Sequence, residues 1–103
     1  MEPDEKTLKE LADWVAEQVS EELGGFVSSE LVDLVIELDA GVRAELNDQR
    51  IDHRTMSEHL IPRLEAAGAP VKTGGVTREL VEEILHWLDE ALAMAGYSRD
   101  VRR

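Results

Sequence analysis

An all-α fold is predicted, an antiparallel four-helix bundle built from two helical hairpins. Three observations predict it. Apolar residues recur at spacings of three and four along four long segments. Each segment is bounded by residues that start or stop helices. No segment sustains period-two alternation with β-branched residues, so no sheet is expected.

The first helix is expected from about Glu5 to Leu23, with Asp4 as its N-cap. Leu8, Leu11, Ala12, Val15, Val19 and Leu23 form one apolar stripe, and Gly24 ends it in a left-handed turn. The second is expected from about Ser29 to Leu46. Ser28 caps it, Val27 and Val32 occupy staple positions, and Asn47 terminates it. Its main face is Leu31, Leu34, Val35, Leu38, Val42 and Leu46, with Val32 and Ile36 widening one flank.

The third helix takes Thr55 to Glu58 as a capping box and Met56, Leu60, Leu64 and Ala67 as its stripe, with Gly68 and Pro70 at its end. Pro62 lies inside it. A proline removes a backbone donor and clashes with the preceding turn, so a kink near Pro62, or a break near Leu60, is expected. The fourth helix is expected from about Arg78 to Ala95, capped by Thr77 with Val76 and Val81 as the staple. Its apolar arc, from Leu80 through Trp87 to Leu92, covers about half the circumference at roughly 100° per residue. Gly96 stops it, with Tyr97 placed to fold back on Leu92.

Gly24–Asp33 echoes Gly74–Glu82 with one residue skipped. Duplication of a hairpin and convergence on good helix starts both account for it.

Length and composition bound the rest. The 103 residues fit one domain, with 1–3 and 98–103 expected to be flexible ends. Leu, Ile, Val and Phe supply 28 residues, enough for a real core and too many for a disordered acidic chain. There is no cysteine, which excludes disulfides, thiol catalysis, cysteine zinc sites and iron–sulfur clusters. The net charge is −12, which argues against direct binding to nucleic acid or to an anionic membrane. The acidic opening MEPDEK does not resemble a secretory signal, and the longest apolar run is Ala91 to Ala95, so a cytoplasmic location is expected.

The charge is uneven. Residues 1–51 carry 14 acidic and 4 basic side chains, while residues 52–103 carry 9 and 7. On the first helix Asp13, Glu17 and Glu21 lie four apart, with Glu10 and Glu22 nearby, and Asp33 and Glu37 repeat the spacing on the second. Like charges at this spacing disfavour a helix by about 0.2–0.5 kcal/mol per pair. A basic partner would relieve that repulsion and be steered in quickly. The alternative is a solvated face that maintains solubility.

Chemistry is sparse. Glu83 and His86 form an E-x-x-H spacing of the kind used in di-iron bundles, but no second such pair exists. A solvated polar face is the simpler account. His53 and His59 are six apart, which is not a one-face helical spacing, and a surface or capping role is expected. No serine elbow, phosphate-binding loop or nucleophile–base pair is present. No enzyme activity and no cofactor are expected.

Trp14 lies at the edge of its stripe, suited to core or interface. The surplus apolar arc, including Val32, Ile36, Trp87 and Met94, favours a homodimer seam. The expected function is therefore a small acidic, non-enzymatic interaction or regulatory module that self-associates and engages a protein partner, with charge favouring a basic one. Its interaction surface would comprise Glu10, Asp13, Trp14, Glu17, Glu21, Val32, Ile36 and Trp87. The competing readings are a carboxylate–histidine metal-binding bundle, and a structural subunit of a larger assembly such as a phage or capsid-associated particle.

Overall fold

A computed structural model of the chain describes residues 5–48 and 50–96. The expected cap Asp4, the fold-back of Tyr97 and both chain ends lie outside the described residues. Four helices are present: α1 (Glu5–Leu23), α2 (Ser29–Leu46), α3 (His53–Ala66) and α4 (Arg78–Met94). There is no strand among the described residues. Helix α1 packs on α2 and α4, α3 packs on the same two, and α2 touches α4 across the diagonal.

The helix starts share one local grammar. Ser28 accepts from the Leu31 amide at 3.2 Å, and Thr77 accepts from the Leu80 amide at 3.2 Å. In both cases the residue before the cap, Val27 or Val76, and the residue four past it, Val32 or Val81, are buried. This is the hydrophobic staple. Helix α3 obeys the same rule at a different place. Its N-cap is Asp52, whose carboxylate accepts from the Thr55 amide at 3.1 Å, and Ile51 and Met56 are the buried staple residues. The expected capping box at Thr55–Glu58 is thus corrected. The helix begins at His53, and Thr55 supplies a backbone donor to the cap rather than being it. Aspartate ranks above threonine at this position.

Pro62 lies inside α3, and of the two outcomes expected for it the structure removes one. The expected break near Leu60 is absent, and one continuous helix runs from His53 to Ala66 with Leu60 fully buried in it. Both Pro62 and Glu58, whose carbonyl the proline cannot serve, are exposed. The missing hydrogen bond therefore falls on the solvent side, where water can take the carbonyl.

Helix ends follow expectation where they are described. Gly24 (φ 70°) ends α1, Asn47 (φ 52°) ends α2, and Gly96 (φ 88°) follows α4. The two Gly-Gly segments differ in role. Gly24 terminates a helix directly, whereas Gly74 sits well past the end of α3 in the connection to α4. Both lead into a helix start with a capping hydroxyl and a buried staple valine.

The core is small-residue on α1 and bulky on α3 and α4. Ala12, Val15, Ala16 and Val19 of α1 share one core cluster with Met56, Leu60 and Leu64 of α3 and Ile84 and Leu85 of α4. On α2 the buried line is Val32, Val35, Asp39, Val42 and Arg43, with Leu31, Leu34 and Leu38 only partly buried. At about 100° per residue, Asp39 falls within roughly 20° of Val32, so a carboxylate lies near the middle of the buried face. It is 3% exposed and Arg43 is 2% exposed. The Arg43 Nε donates to both Asp39 oxygens at 3.1 Å. The aspartate lies one turn N-terminal to the arginine, the favourable order for an i,i+4 pair.

Candidate interaction surface

The α1–α2 corner is built by three local devices. Gly24 adopts the left-handed conformation and its amide reaches the Ser20 carbonyl at 3.0 Å, closing α1. The Ser20 hydroxyl donates back to the Ala16 carbonyl at 2.7 Å and accepts from the Val27 amide at 2.8 Å, which clamps the turn onto the helix. Val27 then points into the core as the staple of α2. Neighbouring side chains in extended backbone point to opposite sides. With Val27 inward, Phe26 is turned out and is 91% exposed, the most exposed large apolar side chain among the described residues.

A groove of about 420 Å³ opens beside Phe26. Asp13, Glu17 and Glu21 supply its acidic wall, Ala16 and Val27 its apolar floor, and Ser20 and Ser29 its polar edges. Three residues of the expected interaction surface are thereby brought together. Glu10 is exposed on α1 but outside the groove. The acidic stripe of α2 meets that of α1 from the other side. The Asp33 carboxyl is pushed above its ordinary value, first by lost hydration against the neighbouring helix and then by the Asp13 charge, with Glu30 adding to it. Lys9 opposes the shift and does not cancel it.

Other expected surface residues lie elsewhere. Val32 is fully buried in the chain's own core, which corrects its assignment to an interaction surface. Ile36 and Trp87 are half-buried and packed against that core. Trp14 and Trp87 meet edge to face, centroids 5.8 Å apart at 71°, and join α1 to α4. The apolar surplus assigned to a dimer seam is in large part internal packing. Met94 remains exposed.

Glu83 and His86 are not joined by a third candidate ligand among the described residues. His86 is exposed and stacks edge to face on Trp87 at 5.5 Å. Glu83 is half-buried rather than fully solvated, with its Oε2 shut off from solvent and lacking a hydrogen-bond partner among the described residues. No group of three or more histidine, aspartate or glutamate side chains converges among the described residues. His53 has a different role from the surface or capping one expected. Its Nε2 lies 2.5 Å from Asp89 Oδ2, tying the first turn of α3 to the last turns of α4.

Two features were missed in the sequence. Phe26 was legible in principle, because a staple valine in an extended segment turns its predecessor outward. The Asp39–Arg43 pair had only its i,i+4 spacing as a signal, and that spacing is equally common on exposed faces. No protein-family model matches the chain, and comparison with curated proteins and with solved structures returns no similar protein. No helix among the described residues is long and apolar enough to cross a membrane.

Proposed function

We propose that the protein is a small non-enzymatic interaction module whose acidic α1–α2 face receives a basic protein partner. The observation that carries this reading is the meeting of two like-charged stripes. Asp13, Glu17 and Glu21 line one groove on α1, and Asp33 on α2 has its carboxyl pushed up first by lost hydration and then by the Asp13 charge, against the opposing pull of Lys9. Of the four basic residues in the first half of the chain, Arg43 is buried on Asp39. Lys9 does act on this face, and it opposes the upward shift of Asp33 without cancelling it. Stability alone does not call for such an arrangement, since like charges at these spacings oppose the fold. A cationic partner removes that repulsion and is drawn in by the field.

Homodimerisation is not part of this proposal. Its expected seam has lost Val32 to the core, and a two-fold contact at Phe26 would set the acidic wall of one copy against that of the other.

The test is affinity capture from cells expressing the protein, with captured chains identified by mass spectrometry. The comparison is between the wild type, Asp13→Asn/Glu17→Gln/Glu21→Gln, and a charge-matched control, Glu65→Gln/Glu79→Gln/Glu90→Gln. A basic protein retained by the wild type and the control but lost by the α1 variant is the expected result. An identical captured set for all three would sink the reading.

A further inference from the structure

We infer that the groove between α1 and the Phe26–Ser29 segment is a peptide-docking site whose occupant is a short basic segment of another protein, one apolar side chain flanked by lysine or arginine. This rests on the acidic-face reading above and adds to it a location and a recognition pattern.

Shape, charge and rigidity point the same way. The groove volume of about 420 Å³ lies in the range, roughly 300–1,000 Å³, in which small ligands or a few side chains are held. Its length, from Asp13 to Glu21 along α1, is about 12 Å, the span of two helical turns or about four extended residues. Its floor, Ala16 and Val27, is apolar and already fixed in the core. One side is Phe26, an aromatic ring kept in water, and aromatic anchors are the residues most enriched at the centres of interfaces. The lining also holds three carboxylates, Asp13, Glu17 and Glu21, and no lysine or arginine among the described residues.

An apolar ligand alone would leave those carboxylates near a dehydrated surface without partners, at a cost. A ligand with cationic side chains on either side of an apolar one satisfies both walls at once. A second copy of this chain fits badly, because it would bring its own acidic wall to the same place.

The corner is also pre-formed. The Ser20 hydroxyl holds the Val27 amide at 2.8 Å, Ser28 caps α2, and Val27 anchors the turn, so the Phe26 backbone is tethered on its C-terminal side. Little ordering is left to be done on binding, which favours affinity in a small site.

The test uses the full-length protein and a displayed library of random dodecapeptides, followed by calorimetry with the best-enriched peptide made synthetically. The expected outcome is enrichment of peptides with at least two lysines or arginines about one large apolar residue. Phe26→Ala should weaken the synthetic peptide about tenfold or more, as loss of a central aromatic anchor does. Glu17→Gln/Glu21→Gln should weaken it several-fold and flatten its salt dependence. Circular dichroism of each variant checks that the fold is intact, and Phe26 is too exposed for its loss to unfold the chain.

The two layers of the proposal fail differently. Binding that responds to Glu17→Gln/Glu21→Gln but ignores Phe26→Ala overturns the groove and leaves the acidic-face reading standing. Binding that ignores both, enrichment of peptides without positive charge, or no enrichment at all, overturns the reading as well. Sedimentation showing a dimer that Phe26→Ala dissociates would assign the groove to self-association and overturn the docking proposal.

Discussion

Helix α2 carries two sets of charges that behave in opposite ways. On its inner face Asp39 and Arg43 are buried, opposite in sign and locked together at 3.1 Å. On its outer face Asp33 stands exposed among like charges from its own helix and from α1. The inner pair is fully committed to the fold. Removing either partner would strand a charge in a dry environment, and the pair as a whole contributes little net stability against an apolar replacement. The outer set meets an opposing charge in Lys9, which does not cancel the repulsion. Charge that is satisfied internally is structural. Charge left unsatisfied at an accessible groove is available to a partner.

The comparison is broken most severely at Arg43. Arg43→Ala should cost about 3–5 kcal/mol in urea denaturation, because it takes the guanidinium away from the buried Asp39 carboxylate. Asp39→Leu/Arg43→Met should return stability to the wild-type level or above. If the double variant is as damaged as the single one, the pair does more than neutralise itself.

Next in size are the helix caps. Thr77→Ala and Asp52→Ala should each cost about 0.5–2 kcal/mol, since each side chain satisfies an otherwise orphan amide. The Asp52 carboxyl is held below its ordinary 3.8, chiefly by the Thr55 hydrogen bonds. Its contribution is fully present above pH 3.8 and lost as pH falls through the lower folded value. A denaturation series across that window checks the sign, with Asp52→Asn, which keeps a capping side chain but no titration, as the reference.

The outer face should show the smallest effect on stability and the opposite sign. Asp33→Asn should stabilise the protein at neutral pH by less than about 0.5 kcal/mol, as surface changes do. The folded Asp33 carboxyl titrates above its unfolded value, so its penalty is fully present above the raised pKa and gone below 3.8. The gap between variant and wild type should close over that window and narrow with added salt. A destabilising Asp33→Asn would mean that Asp33 has a structural partner.

The same contrast explains what the sequence made legible. Helix extents followed from glycine, asparagine and staple positions, so Glu5–Leu23 and Ser29–Leu46 emerge from pattern alone. The start of α3 did not, because Thr55–Glu58 and Ile51–Asp52–Met56 are competing start signals, and only packing of Ile51 and Met56 decides between them. That α3 runs unbroken through Pro62 is not legible in the sequence, because the cost of a proline depends on which side it faces. The inner charged pair was hidden because i,i+4 spacing does not tell a buried face from a wet one. It also displaced the leucines: Val32 lies on the buried line beside Asp39, while Leu31, Leu34 and Leu38 are pushed to its flanks. The acidic stripe on α1 was plain in the sequence. Its companion Phe26 was not, since exposure of a single aromatic depends on how one turn is tethered.

The most direct test of the account separates stability from binding in one variant. Asp13→Asn/Glu17→Gln/Glu21→Gln removes two i,i+4 repulsions, each worth about 0.2–0.5 kcal/mol, and no described hydrogen bond. Its thermal stability and its affinity for the captured basic partner should be measured side by side, at low and at physiological salt. The account predicts a fold at least as stable as the wild type, an affinity lowered about tenfold or more, and a weakened salt dependence. An affinity equal to that of the wild type at both salt concentrations would show that the acidic face serves solubility alone.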